Sequence, residues 1–180
     1  MQHPYRHRIR AICAEDLDAV LDVQAACYPP AMQEAAEVVL ARLHAAAGTC
    51  IAAEDEAGVC AYLFAYPSML GKVTPLGAGF EVAAGADTLY LHDLAVAPRA
   101  LGRGLARRLV DHLLAQAPAR RWQASALVSV QDTARFWSAL GYRPGDPDHP
   151  DAGAALASYP GGAQYMVRRL TAPAVPWPSC

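Results

Sequence analysis

The sequence predicts an α/β fold in which helices flank a mixed sheet, and three observations indicate this class. Apolar runs of strand length alternate along the chain with segments of helical periodicity. Two β-rich segments, TCIAAE and VCAYLFAY, stand on either side of a turn near Asp55 to Gly58 and predict an early hairpin. Finally, the nearly uncharged run TLYLHDLAV, typical of a strand buried on both faces, leads into a glycine-rich turn and a helix.

Each predicted element rests on its periodicity and on proline, glycine or capping signals at its ends. In the first half these elements are a strand at Arg8 to Ile12, a helix at Ala14 to Tyr28 that Pro29 and Pro30 end, a helix at Glu34 to Ala47 that Gly48 caps, the hairpin, and a loop at Pro67 to Ala86. In the second half they are the strand TLYLHDLAV, a helix from Pro98 to about Ala117, the strand WQASALVSV, a helix with a capping box of Ser129 and Asp132 that ends at Gly141, a long loop at Pro144 to Gly162, and the strand AQYMVRRL.

Length and charge narrow the function classes. A chain of 180 residues predicts one domain over residues 1–170 and a loose tail over 171–180. Fifteen Lys and Arg residues against 17 Asp and Glu residues give a net charge of −2, which argues against a nucleic-acid partner. The longest uncharged apolar run, residues 57–71, is too short to span a bilayer, and no apolar core follows the basic N-terminus. We therefore expect a soluble cytoplasmic protein without a membrane partner, and leave a homodimer open.

No metal site is expected. The five cysteines are scattered without a CxxC pair, which predicts neither a disulfide framework nor a zinc site. Cys27 is a candidate nucleophile, but the general burial of free cysteines favours a small core side chain. The segment with Asp146, Asp148, His149 and Asp151 looks superficially like a metal cluster, and we expect a solvated loop there.

The segment LAVAPRALGRGLARRLV places Gly102 and Gly104 between a strand end and a helix N-terminus. Because glycine lacks a Cβ, backbone N–H groups can converge there on an oxyanion, and the helix N-terminus adds about half a positive charge. A Walker loop is excluded because Gly-Lys-Ser/Thr is absent, and a dinucleotide fingerprint because Arg107 occupies its third glycine position. The turn therefore predicts a site for a diphosphate-bearing cofactor, with further arginines within reach of phosphates at Arg99, Arg103 and Arg108.

The strand end LAVAP, the turn RALGRGLARRLV and the later segment ARFWSALGY together resemble the GNAT superfamily of N-acetyltransferases, over about Arg6 to Leu170. The resemblance implies a mostly antiparallel central sheet with a splayed strand pair, and acetyl-CoA as the acyl donor. The segment LHDLAV is particularly similar to the arylalkylamine N-acetyltransferase branch. Members of the superfamily bind the cofactor pyrophosphate with an Arg/Gln-x-x-Gly-x-Gly/Ala loop.

Two registers of that loop are available. Arg99-x-x-Gly102-x-Gly104 matches the letters, whereas Leu101-x-x-Gly104-x-Ala106 preserves the family's distance from the strand end. We prefer the second, since strand-to-helix geometry fixes where the amides point, and Leu101 is then a departure from the family pattern. On this register the resemblance implies phosphate-binding amides at Gly102, Arg103, Gly104, Leu105, Ala106 and Arg107.

The resemblance implies further cofactor contacts. The backbone of Leu94, Ala95 and Val96 would pair with the pantetheine arm by strand addition. Trp137 stands where many relatives carry a tyrosine that protonates the CoA thiolate, and because indole cannot serve as that acid, we expect it to pack beside the cofactor. Tyr142 is the nearest substitute, although its place in LGY favours the core, so the sequence identifies no acid.

His92 is the candidate catalytic base. It lies two residues before Leu94, on the predicted strand face shared with Tyr90 and Leu94, and imidazole suits proton transfer near neutral pH. In the arylalkylamine branch a histidine at this place helps to relay the amine proton, so the resemblance implies the same role. The alternative is a hydrogen-bonded core histidine.

The main hypothesis is an acetyl-CoA-dependent N-acetyltransferase that transfers the acetyl group directly to a primary amine of a small molecule, similar to an arylalkylamine or a polyamine. Tyr28 and Pro29 are expected to line the acceptor pocket, and Glu34 to attract the ammonium group. Two alternatives stay open: a non-catalytic CoA-binding sensor or interaction domain, and an acetyltransferase of protein N-termini or lysines.

Overall fold

The computed structural model describes residues 7–170, and within them seven strands form one sheet of order β1-β2-β3-β4-β5-β7-β6. The strands are β1 Arg8–Ala11, β2 Cys50–Asp55, β3 Gly58–Ser68, β4 Thr88–Val96, β5 Ala124–Ser129, β6 Arg143–Pro144 and β7 Gln164–Arg169. The α-helices are α1 Leu17–Cys27, α2 Ala36–Ala46, α3 Leu105–Leu114, α4 Ala117–Arg120, α5 Ala134–Ala139 and α6 Ala152–Ala157. The predicted tail at 171–180 lies outside the described residues.

The sheet is mixed and mostly antiparallel, as predicted. The strands β2 and β3 form the expected hairpin, with Asp55 opposite Gly58 at its turn. Only β4 and β5 run parallel within the described sheet, and the chain between them contains α3 and α4. A parallel pair needs such a long crossover, usually a helix, which explains why the glycine turn and its helix follow β4 directly.

Alternation along β3 divides the core into two layers. Tyr62, Phe64 and Tyr66 belong to a cluster with the apolar faces of α1 and α2. Ala61, Leu63 and Ala65, the residues between them, belong to the cluster on the opposite face, which includes the buried leucines of α3. The sheet is therefore covered on both faces. Among the described residues, no helix is long and apolar enough to cross a membrane.

The start of α5 differs from the predicted capping box. The helix begins at Ala134, and Asp132 precedes it in a left-handed conformation with φ of 57°. The hydroxyl of Thr133 donates to the carbonyl of Val130 at 2.6 Å and lies 3.1 Å from Ser129 Oγ. The predicted capping box of Ser129 and Asp132 was wrong because Thr133, and not Ser129, occupies the N-cap position of the helix.

The segment predicted as a loop at Pro144 to Gly162 is partly ordered into elements. Arg143 and Pro144 pair with β7 as a short edge strand, and α6 follows. Ala152 and Ala155 of α6 are buried against the α1/α2 cluster. Two alanines bury little apolar area, so they gave a weak signal within a segment rich in proline, glycine and aspartate.

Candidate functional site

The parallel pair β4–β5 is joined along only part of its length. Its partners run from Thr88 opposite Ala124 to Leu91 opposite Leu127. The strands continue beyond that point to Val96 and Ser129, so they separate and open a cleft of about 290 Å³. The cleft is bordered by both strand ends, the end of α1, the glycine turn and α5. This is the splayed strand pair that the resemblance implied.

The open edge of β4 presents backbone groups at alternate residues. The N–H of Ala97 donates to the carbonyl of Cys60, next to β3, at 2.8 Å. Residues two apart in a strand face the same neighbour, so Ala95 directs its N–H and C=O toward β3. Leu94 and Val96 direct theirs into the cleft. Of the three residues expected to meet the pantetheine arm, these two therefore have the backbone orientation for it.

The end of α1 lies against this open edge. The Cys27 thiol donates to the carbonyl of Val96 at 3.2 Å, and the Tyr28 hydroxyl lies 3.1 Å from the carbonyl of Leu94. Burial raises the pKa of the Cys27 thiol, which disfavours the thiolate that a nucleophile needs. Both residues line the cleft, whereas Pro29 is exposed and is not among the described residues that line it.

The glycine turn ends in a helix N-terminus. Gly102 and Gly104 have φ of 75° and 70°, a left-handed conformation that favours glycine. The first intrahelical bond of α3 runs from Arg108 N–H to Gly104 C=O at 3.1 Å, so the helix starts later than predicted from Pro98. The amides of Leu105 and Ala106 precede that bond, and helices leave such groups for another acceptor.

Arginine placement supports the preferred register. Arg99 donates to the Asp55 carboxylate at 2.5 Å and to the Val59 carbonyl at 3.1 Å, so its side chain points to the β2–β3 hairpin. Leu101 instead lines the cleft and is 63% exposed. The position that departs from the family pattern is thus the one that lines the cleft.

A β-bulge sets the orientation of His92. Asp93 stands opposite Phe64 of β3 and Leu91 stands opposite Ala65, so His92 is an extra residue with no partner in that register. The bulge changes the alternation beyond it, and Leu94 packs with the α3 cluster whereas Tyr90 belongs to the α1/α2 cluster. The predicted shared face of His92 and Leu94 was therefore wrong, because an extra residue interrupts the period of two.

The His92 side chain is 2% exposed and has its polar contact with Glu34. Its Nε2 lies 3.4 Å from Glu34 Oε1, and its ring meets Phe80 edge to face at 5.4 Å between centroids. Nδ1 is buried without a hydrogen-bond partner among the described residues. His92 borders the cleft, so a candidate base stands where the strands separate.

Glu34 is 4% exposed and already paired. Arg42 binds both carboxylate oxygens, with Nη2 2.6 Å from Oε1, and the Gly77 N–H donates to Oε1 at 2.8 Å. Burial alone would raise the pKa of Glu34, but hydrogen bonds from His92 and Arg42 lower it to about 2. The carboxylate that we expected to attract an ammonium group is thus fixed beneath His92 as an ion.

Asp93 is a candidate site residue that the sequence analysis missed. Its two carboxylate oxygens accept from the hydroxyls of Tyr28, at 2.7 Å, and Tyr62, at 2.8 Å. Burial raises the pKa of Asp93, and these hydrogen bonds oppose the rise only in part. The available signal was a single acid within the apolar run TLYLHDLAV.

Two aromatic residues at and after α5, Trp137 and Tyr142, lie in different surroundings. Trp137 is buried, lines the cleft and meets Tyr142 edge to face at 5.5 Å. The Tyr142 hydroxyl lies in the core, 2.7 Å from Ser125 Oγ, and burial raises its pKa. Tyr142 is therefore a core residue, and Tyr28 is the tyrosine whose hydroxyl stands at the cleft wall.

One group of three side chains within residues 7–170 has metal-ligating atoms within 4.8 Å of one another: His7, Asp55 and Cys60. Arg99 already binds Asp55, and Arg103 Nη1 lies 3.4 Å from His7 Nε2. These two guanidinium groups place positive charge where a cation would bind.

Several solved structures share this fold. The GphF GNAT-like decarboxylase in complex with isobutyryl-CoA has a TM-score of 0.72 at 17% identity, over 92% of this chain and 100% of that chain. The ribosomal-protein-S18-alanine N-acetyltransferase from Escherichia coli has a TM-score of 0.65 at 15% identity, over 92% and 95%. The PaiA N-acetyltransferase from Thermoplasma acidophilum, in complex with coenzyme A, has a TM-score of 0.66 at 11% identity, over 92% and 99%.

These identities are low, so the likeness concerns the fold. No curated protein matches the sequence. The sequence profile of the acetyltransferase (GNAT) family, however, matches residues 17–142, which extend from the start of α1 through the splayed pair and the glycine turn to Tyr142. The chain therefore belongs to the acetyltransferase (GNAT) family.

Proposed function

We propose that this chain is an acetyl-CoA-dependent N-acetyltransferase that acetylates a primary amine of a small molecule by direct transfer. The observation that carries the proposal is the separation of β4 from β5 beyond Leu91 and Leu127. It joins a helix N-terminus suited to a diphosphate, a backbone edge suited to an extended amide chain, and a buried histidine along one cleft.

The described groups fit the parts of acetyl-CoA in order. The turn amides at Gly102 to Arg107 would bind the pyrophosphate, and the open backbone groups of Leu94 and Val96 would pair with the pantetheine amides. Trp137 supplies apolar surface beside them. The reactive thioester would then lie toward His92, because the strand leads from the turn back to the bulge.

The reaction begins with a protonated amine, and freeing its lone pair at pH 7 costs roughly 4 kcal/mol for a group similar to Lys. His92 takes that proton, and the amine nitrogen attacks the thioester carbonyl carbon to form the C–N bond. The C–S bond then breaks, the nitrogen loses its second proton, and the CoA thiolate leaves and becomes a thiol by taking a proton. A positioned base typically contributes about 10²–10⁴-fold to such a step.

Charge at the cleft favours a cationic acceptor. Asp93 lines the cleft, and no Lys or Arg is among the described residues that do. A decarboxylase such as GphF would have to hold a carboxylated acyl group in this place. An ionised Asp93 without a cation beside it in the cleft would repel that group and attract an ammonium ion. The charge distribution thus supports the acetyltransferase over the decarboxylase.

A cavity of about 450 Å³ between the β3–β4 loop and α6 supports a small acceptor. Tyr66 lines this cavity and stacks on Phe80 at 4.4 Å, and Phe80 in turn contacts the His92 ring. An aromatic tail has apolar partners there. Lys72 also lines the cavity and binds Glu81 at 2.7 Å, which leaves Asp151 as the carboxylate for a polyamine.

The proposal is tested by incubating the purified protein with acetyl-CoA and a panel of acceptors: arylalkylamines, polyamines, and peptides with free N-termini or lysines. Released thiol and product mass are measured. Turnover on a small amine supports the proposal. Acetylated peptides alone would indicate a protein acetyltransferase, and CoA binding without turnover would indicate a sensor.

The cofactor site is tested separately with two matched glycines. Gly104→Ala and Gly85→Ala both place a Cβ at φ of 70° with nothing within 4 Å, so their backbone strain is alike, about 1 kcal/mol. Only the first alters the turn proposed to bind phosphate. We expect CoA affinity, measured by calorimetry, to fall about tenfold in Gly104→Ala and to stay unchanged in Gly85→Ala. Equal affinities would contradict the assignment of the turn.

A further inference from the structure

The buried group around His92 contains more than a base requires. Glu34, Arg42 and the loop backbone at residues 77 and 78 form a connected set of hydrogen bonds below the imidazole. Arg42 donates to the Ala78 carbonyl from Nε at 2.8 Å and from Nη2 at 2.5 Å, besides binding Glu34. Every charged group in this set is thereby held in one place.

The Glu34 carboxylate can only accept hydrogen bonds. Its Oε1 receives Arg42 Nη2, the Gly77 N–H and His92 Nε2. A neutral imidazole has one protonated nitrogen, and a lone pair on Nε2 would face the negative oxygen directly. The proton must therefore lie on Nε2, which leaves Nδ1 with its lone pair free.

The other ring nitrogen agrees with this assignment. Nδ1 is buried and has no hydrogen-bond partner among the described residues. A buried N–H there would lose its hydrogen bond to water without replacement, whereas a lone pair is the state that a base needs.

We propose that Glu34 is a positioning residue that fixes His92 as the Nε2–H tautomer, so that Nδ1 is the atom that accepts the substrate proton. Arg42 keeps Glu34 in place by binding both of its oxygens. The inference rests on the proposed function for the identity of the proton, which leaves the ammonium nitrogen and forms the N–H bond at Nδ1. The tautomer itself is a property of the protein alone.

The tautomer is measured by long-range ¹H–¹⁵N NMR of the histidine rings at alkaline pH, where imidazoles are neutral. The His92 signals are assigned by their loss in His92→Gln. We expect a protonated Nε2 and an unprotonated Nδ1 in the wild type. A protonated Nδ1 with a bare Nε2 would overturn the proposal, and this test needs no variant at Glu34.

The role of Glu34 is tested with Glu34→Gln/Arg42→Met, which removes the two paired charges together and avoids an unpaired buried arginine. We expect a mixture of His92 tautomers, a kcat at least about tenfold lower, and a CoA dissociation constant within about twofold of wild type. The matched control is Glu54→Gln, which removes a carboxylate from Arg10 in β1 while Asp16 still binds that arginine. It should leave the His92 tautomer, the kcat and the CoA dissociation constant unchanged.

The outcomes separate the two proposals. An unchanged tautomer and unchanged kcat in the double variant would overturn the role of Glu34 while leaving the acetyltransferase intact. The expected ring pattern in a wild-type protein that acetylates no amine would overturn the proposed function and support the tautomer assignment.

Discussion

Two carboxylates lie near His92, the buried Glu34 and the partly buried Asp93, and they differ in what neutralises them. Glu34 is bound by a guanidinium group through both oxygens and by a backbone N–H. Asp93 is bound by two tyrosine hydroxyls and by no described cation. The pKa of Glu34 is consequently lowered to about 2, whereas burial raises that of Asp93.

The difference shows how one small region can serve two needs. A carboxylate with a fixed countercharge is a stable support for a neighbouring ring, because it stays ionised through the physiological pH range. A carboxylate with neutral donors is costly to bury and gains from any cation that arrives. The proposed roles follow this difference, with positioning assigned to Glu34 and recognition of a cationic acceptor to Asp93.

The largest expected effect comes from removing only one charge of the paired site. Glu34→Gln leaves Arg42 buried without a countercharge, and we expect the free energy of unfolding to fall by about 3 kcal/mol. Glu34→Gln/Arg42→Met removes both charges, so its free energy of unfolding should fall clearly less than that of Glu34→Gln. Urea denaturation of the two variants measures the difference. Equal losses would show that the pair does not behave as a unit.

The second effect is the pH dependence that Glu34 confers. Its pKa falls from 4.5 in the unfolded chain to about 2 in the folded protein, so its contribution is fully present above pH 4.5 and is lost as the pH falls toward 2. A shift of that size corresponds to about 3 kcal/mol. The difference in unfolding free energy between the wild type and Glu34→Gln/Arg42→Met should shrink over this window. A difference independent of pH would contradict an ionised Glu34 as its source.

The periodic features of the fold and the glycine turn before α3 could be predicted from the sequence. Strand and helix periods predicted the hairpin and the β4–turn–α3 unit, since a buried strand, glycines at positive φ and a helix start are all local signals. One of the two alignments of the loop motif, the one that begins at Leu101, could be preferred because the distance from a strand end to the following helix is also a local property of the chain.

The acid–base group could not be predicted in the same way. The bulge at His92 depends on pairing with β3, and it turned Leu94 to the other face. Glu34 was assigned to the acceptor because a carboxylate attracts an ammonium group, whereas the structure pairs it with Arg42 of α2. The contact between Glu34 and His92 joins residues 58 positions apart, so no single segment records it.

The smallest expected effect, and the one of opposite sign, is at Asp93. Asp93→Asn removes a buried charge that lacks a countercharge and keeps a side chain of the same size between Tyr28 and Tyr62. We expect the free energy of unfolding at pH 7 to rise by about 0.5–2 kcal/mol, and the KM for a cationic amine to rise as well. Because the folded pKa of Asp93 is raised, this gain should be largest at neutral pH and vanish toward pH 3.8 and below, where the wild-type carboxyl is protonated in both states. Urea denaturation at several pH values, together with amine kinetics, would show whether the protein gives up stability at Asp93 to recognise a cation. A loss of stability in Asp93→Asn would instead mean that the two tyrosine hydroxyls alone are sufficient partners for the charge.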